Sequence, residues 1–239
     1  MKKVLVALLA GFLLTAAAPF DEAWQLMEQG QEAEAFVVVE QAAEDGDPKC
    51  LDYLAWFYDE GIQVEQDLDR AAELYREAAG LGVPHAQWRL GVMMDTGEIS
   101  GGTAEEAVAL FKAAAAQDFT SAMVSLGIMQ AGGRGTPQDF ASARQSFEAA
   151  ARLGNVHAFN EIGVMYMLGE GTAEDPQEAL AWFIIAATAG DESAQDILGK
   201  HFTDIDVDVP HAAERAEEIA RDFGVFDEDD EPVSDAQTV

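Results

Sequence analysis

The amino-acid sequence predicts an all-α solenoid, and three observations carry that prediction. A pattern of small, aliphatic and aromatic residues returns every 36 positions without slippage. Prolines number only 7 in 239 residues, and alanine-rich runs are frequent, as helices require. Hydrophobic residues make up 49%, enough for a continuous core and too many for a disordered chain.

Each period divides into two helices, A and B. In helix A one position reads Cys50, Ala86, Ala122, Ala158 and Ala194. Four residues on come Leu54, Leu90, Leu126, Ile162 and Leu198, followed by Ala55, Gly91, Gly127, Gly163 and Gly199. Spacings of four place these on one helical face. A glycine there lets a neighbouring helix approach closely, at a cost of about 1 kcal/mol in helix propensity. Gly61, Gly97, Gly133 and Gly169 end helix A, and Asp67, Thr103, Asp139 and Asp175 stand as N-caps of helix B. Helix B carries Ala71, Ala107, Ala143 and Ala179, then Tyr75, Phe111, Phe147 and Phe183 four residues later, then an Ala-Ala pair. It closes at Gly82, Gly154 and Gly190, with Asp118 the exception. A single hairpin buries little; stacked hairpins share one core.

The succession Ala, Leu-Gly, aromatic, Gly, Ala, aromatic, Ala-Ala-x-x-Gly resembles the Sel1-like repeat family, a relative of the tetratricopeptide repeats. The unit from Ala158 through Gly163, Gly169, Asp175, Trp182-Phe183 and Ala186-Ala187 to Gly190 fits it best. The resemblance implies a right-handed α/α solenoid of about four full repeats with atypical units at both ends, acting as a scaffold for protein complexes. Exported bacterial members of the family include regulators that bind a sensor in the periplasm. Others carry a disulfide in each repeat. Cys50 is the only cysteine here, so nothing known of those members transfers. It reads as a small core residue.

The expected boundaries are a signal peptide at 1–17 and an N-terminal capping half-repeat at 18–46. Full units follow at 47–82, 83–118, 119–154 and 155–190, then a degenerate unit at 191–223 and an acidic disordered tail from 224 to 239. The leader assignment rests on Lys2-Lys3, the apolar run Val4–Leu14 and the small residues before Pro19, with cleavage expected after Ala17. An uncleaved anchor is the competing reading, although the apolar run is short against the roughly 20 residues that a bilayer span needs. Export places the mature chain in the periplasm or outside the cell, with no membrane insertion after cleavage.

Thirteen basic against 45 acidic residues give a net charge of −32, which opposes binding to nucleic acid or to anionic lipid. No catalytic motif is present, and neither a cofactor nor a metal is expected. Gly132-Gly133-Arg134-Gly135 follows a helix and lacks the lysine of a phosphate loop. His85 and His157 lie two units apart, about 20 Å at the usual spacing of helices. Asp204-Ile205-Asp206-Val207-Asp208 begins like a calcium loop, but Val209 and Arg215 stand where its glycine and glutamate belong.

Helix A is expected to line the concave face, with four positions per unit left for a ligand: one before the anchor alanine, and two, six and nine after it. These include Asp59 and Asn160, and also an apolar row, Trp56, Trp88, Val92, Val124, Ile128, Val164 and Met167, where polar residues belong. The row reads either as a protein-binding groove or as packing within a tightly curved superhelix. The function expected from this is a non-catalytic interaction solenoid of the cell envelope, an adaptor or regulator whose partner is a protein such as an envelope sensor or assembly component. An envelope hydrolase framed by repeats, and a soluble acidic protein with no specific ligand, are the alternatives.

Overall fold

The computed structural model describes residues 18–202 and 205–225. The expected cleavage site, Asp204 and all but the first two residues of the acidic tail lie outside them.

Among the described residues the chain forms twelve α-helices in two layers. The A layer comprises α1 (Pro19–Glu28), α3 (Pro48–Glu60), α5 (Pro84–Thr96), α7 (Thr120–Gly132), α9 (Val156–Leu168) and α11 (Glu192–His201). The B layer comprises α2 (Glu32–Glu44), α4 (Leu68–Gly80), α6 (Ala104–Ala115), α8 (Phe140–Arg152), α10 (Pro176–Thr188) and α12 (Val209–Phe223). Each helix A packs on the helix B that follows it, and each B on the next A, up to α11. The core is therefore a ladder running the length of the solenoid, as expected of α/α repeats.

The anchors Cys50, Ala86, Ala122, Ala158 and Ala194 are completely buried, as are Ala71, Ala107, Ala143 and Ala179 of helix B. Tyr75, Phe111, Phe147 and Phe183 are at most 1% exposed, and each contributes about 1.5–3 kcal/mol by burial. The helix A glycines serve these rings. A Cβ on Gly91 would lie 2.7 Å from Phe111, on Gly127 2.4 Å from Phe147, and on Gly163 2.8 Å from Phe183. The close approach is thus between a backbone and an aromatic ring within one hairpin. Burial pushes the Cys50 thiol up to about 12, helped by Asp47 nearby, so it packs as a small apolar group.

The turns follow the cap chemistry of the sequence. Asp67, Thr103, Asp139 and Asp175 all accept backbone N–H bonds at the starts of α4, α6, α8 and α10, with Thr103 and Glu106 forming a capping box. Helices α3, α5, α7 and α9 end on glycines in the left-handed region. Asp118, which interrupts the glycine series, still adopts φ of 60°, a conformation aspartate tolerates better than most residues.

The last hairpin departs from the pattern. Helix α12 packs chiefly on α10, using Ala212, Ala216, Ile219 and Ala220. Phe223 at its end reaches Trp182 and Phe159, with ring centroids 5.4 and 5.8 Å apart.

Candidate aromatic groove

At the N-terminal end the A layer opens into a groove of about 740 Å3. Helix α1 contributes Phe20, Asp21, Trp24 and Glu28 to its lining; α3 contributes Lys49, Asp52, Tyr53 and Trp56. Val83, Pro84, His85 and Phe119 form the far wall. The rings are coupled: Phe20 lies 5.8 Å from Tyr53, Trp24 6.5 Å from Tyr53, and Tyr53 stacks on Trp56 at 5.3 Å. Tyr53 is buried, and the other three are half-buried. Burial, with the charge of Glu32, pushes its hydroxyl up to about 12, so it stays a neutral phenol at physiological pH.

Trp24 is oriented by a bond from Nε1 to Glu28 Oε1 at 3.0 Å. Across the groove, His85 donates from Nδ1 to both oxygens of Asp52, at 2.9 and 3.0 Å, tying α5 to α3. Asp21, Glu28 and Asp52 make the lining predominantly acidic, opposed by Lys49, whose Nζ sits 5.2 Å from the centre of the Phe20 ring.

Two residues of the far wall occupy a telling place in the repeat. Helices α3, α9 and α11 are N-capped by Asp47, Asn155 and Asp191, each accepting a backbone N–H. The equivalent residues of α5 and α7 are Val83 and Phe119, which form no side-chain cap. A missing cap costs about 1 kcal/mol. Among the A helices of the full repeats, the two that lack it are the two whose N-cap residues line the groove; α1 and α2, in the N-terminal unit, also begin without a side-chain cap.

Beside the groove lies a buried ionic cluster. Asp59 is 4% exposed and accepts from Arg89 Nε at 2.6 Å, Arg89 Nη2 at 2.8 Å and Tyr75 Oη at 3.2 Å. Arg89 also donates to Glu98 at 2.7 Å, and that bond holds the Glu98 carboxyl below its usual range. The expectation that Asp59 faces a ligand is therefore corrected: the bidentate arginine of the next unit draws it inward. Asn160, expected at another ligand-facing position, is likewise buried, 7% exposed, with Oδ1 lacking a hydrogen-bond partner.

Of the apolar row, Trp56 lines the groove. Trp88 lies just beyond it, 5.8 Å from both His85 and Phe119, and donates from Nε1 to Ser125. Val92, Val124, Val164 and Met167 are half-buried at successive points of the A layer, and Ile128 is 38% exposed. Sequence reasoning missed Phe20, Trp24, Tyr53, Val83 and Phe119. The signal available for the last two was an apolar residue at a cap position.

The remaining candidates have structural partners. Arg134 of the glycine-rich loop donates from Nη1 to both carboxylate oxygens of Asp95, at 2.8 and 2.9 Å. His157 bonds through Nδ1 to the buried Asp191. Asp208 caps α12. Among the described residues no three His, Cys, Asp or Glu side chains converge as metal ligands, and no helix is long and apolar enough to cross a membrane.

Stacked two-helix repeats, each helix packed on the next, define the class of α/α repeat solenoids. The Sel1 repeat model matches residues 48–83, 84–119, 120–155 and 157–191, more than half of the chain, which belongs to the Sel1 repeat family. Members of that family mediate protein–protein interaction and are typically non-catalytic scaffolds. The structure is similar to that of a Sel1 repeat protein from Oxalobacter formigenes, at 28% identity and TM-score 0.70, covering 86% of this chain and 83% of that one. It is also similar to c5321, a protective antigen of uropathogenic Escherichia coli with an SLR fold, at 29% identity and TM-score 0.68. That match covers 84% of this chain and 45% of c5321. The immunity protein Pa5087 of Pseudomonas aeruginosa shares the fold at 22% identity and TM-score 0.52, covering 86% of this chain and 79% of its own. No curated protein matches the chain.

Proposed function

We propose that this protein is a non-catalytic adaptor or regulator of the cell envelope that holds a protein partner on its inner helical layer, anchored at the aromatic groove. The observation that carries this reading is the loss of side-chain caps at Val83 and Phe119. In two consecutive full repeats an apolar side chain replaces the cap, and each time it lines the same groove while packing on its neighbours. Half-buried tryptophans line that groove, and tryptophan is among the residue types most often found as interface anchors. The envelope location is supported by the leader-like order of residues 1–17.

The test is photo-crosslinking in living cells from position 56, with the exposed helix B position Glu77 as comparison. One dominant protein adduct from position 56, absent from position 77, is expected. The same adducts from both positions, or none from 56 or 88 in a folded and exported protein, would refute docking on this face.

A further inference from the structure

We propose that the groove receives an arginine or lysine side chain from the partner, its stem lying on Trp24, Tyr53 and Trp56 and its charge facing Asp21 and Glu28. This rests on the inner-layer docking reading and names the chemistry of the occupant. The argument begins with the rings. Indole and phenol faces attract a cation placed within about 6 Å, and they also cover the methylene stem that carries it. The chain already uses this contact. Lys49 sits over Phe20 at the edge of the groove itself, and at the opposite end of the solenoid Arg152 lies 4.4 Å from the centre of the Phe223 ring. That second case shows an arginine closing an aromatic cluster of Phe159, Trp182 and Phe223 from within the same chain. In the Phe20–Trp24–Tyr53–Trp56 cluster Lys49 lies over Phe20 alone, and Trp24, Tyr53 and Trp56 face the open groove.

Charge selects among occupants. The net charge of −32 makes a second copy of the chain repulsive, and the segment after Gly224 carries six acids and no base. A basic partner segment is attracted by both the acidic groove rim and the field of the whole molecule. The engaged oxygen of Glu28 fixes Trp24 while the carboxylate charge stays at the rim.

The experiment uses the mature chain carrying 5-fluorotryptophan at its four tryptophans, followed by fluorine NMR. Three twelve-residue peptides alternating leucine with arginine, citrulline or glutamate are titrated, and each resonance is assigned by single Trp→Phe substitution. The arginine peptide is expected to shift the Trp24 and Trp56 signals to saturation and leave the buried Trp182 unmoved. The citrulline peptide should bind about tenfold more weakly, the glutamate peptide more weakly still, and the effect should shrink with salt. The doubly substituted chain Asp21→Asn, Glu28→Gln, both at exposed positions, should lose the preference for arginine while keeping its circular dichroism spectrum. Equal binding of arginine and citrulline peptides would overturn the cation assignment and leave an apolar docking groove standing. Non-saturating shifts of all four signals would overturn it as diffuse attraction to an acidic surface, and so would no shift at all. Cross-linking from position 56 reports separately on whether the face docks a protein.

Discussion

The two ends of the solenoid use the same repeat frame to opposite effect. At the far end, α9 and α11 are capped by Asn155 and Asp191, and α12 packs onto α10 so that Phe223 covers the rings of Phe159 and Trp182 and Arg152 lies over Phe223. At the groove end the caps of α5 and α7 are absent, and the rings of α1 and α3 are left open. The anchor and ring positions of the full repeats are alike throughout, because each must fill a space set by neighbouring hairpins. The cap position is less tightly packed, with Val83 and Phe119 only half-buried. It can stabilise its own helix, as Asp47, Asn155 and Asp191 do, or supply a wall to the groove, as Val83 and Phe119 do.

The largest expected effect breaks the groove end. Asp59→Ala leaves the half-buried Arg89 with Glu98 as its remaining partner and removes the acceptor of Tyr75, and should cost about 3 kcal/mol, measured by urea denaturation; a loss below about 1 kcal/mol would mean that the arginine relaxes into solvent. Next come paired glycine substitutions that separate regular units from the last one. Gly127→Ala drives a Cβ into Phe147 and should destabilise by about 1–3 kcal/mol, whereas Gly199→Ala meets nothing within 4 Å and should stabilise by up to about 1 kcal/mol through helix propensity.

Converting one end towards the other gives a smaller effect. Val83→Asn, which copies the cap at Asn155, should raise stability by about 0.5–1 kcal/mol while weakening partner capture from position 56. Loss of stability with no change in capture would show that Val83 is there for packing.

The smallest effect tests charge at the far end. Burial raises the Glu161 carboxyl above its ordinary value, with Asp191 adding to the rise. A carboxyl raised in the folded state contributes stability at low pH and loses it as pH climbs through the raised value. Glu161→Gln should therefore increase the Tm at pH 7 by roughly 2–4 °C and leave it nearly unchanged at pH 4. An equal gain at both pH values would point to packing instead of ionisation.

What the sequence determined by itself was the repeat: the helix pairs, the cap residues, the ring and glycine positions, and the slipped face of α12 built on Ala216, Ile219 and Ala220. These follow from contacts within a hairpin or between adjacent hairpins, so a 36-residue spacing encodes them directly. Trp56 was legible as a candidate because a large apolar residue stood where polarity was expected. The groove itself depended on the tertiary structure, because its lining comes from α1, α3, the start of α5 and the turn before α7, outside any single register. The burial of Asp59 was also decided there. A carboxylate looks solvent-facing in a helical pattern, and only the arrival of Arg89 from the next unit offsets the cost of taking it out of water.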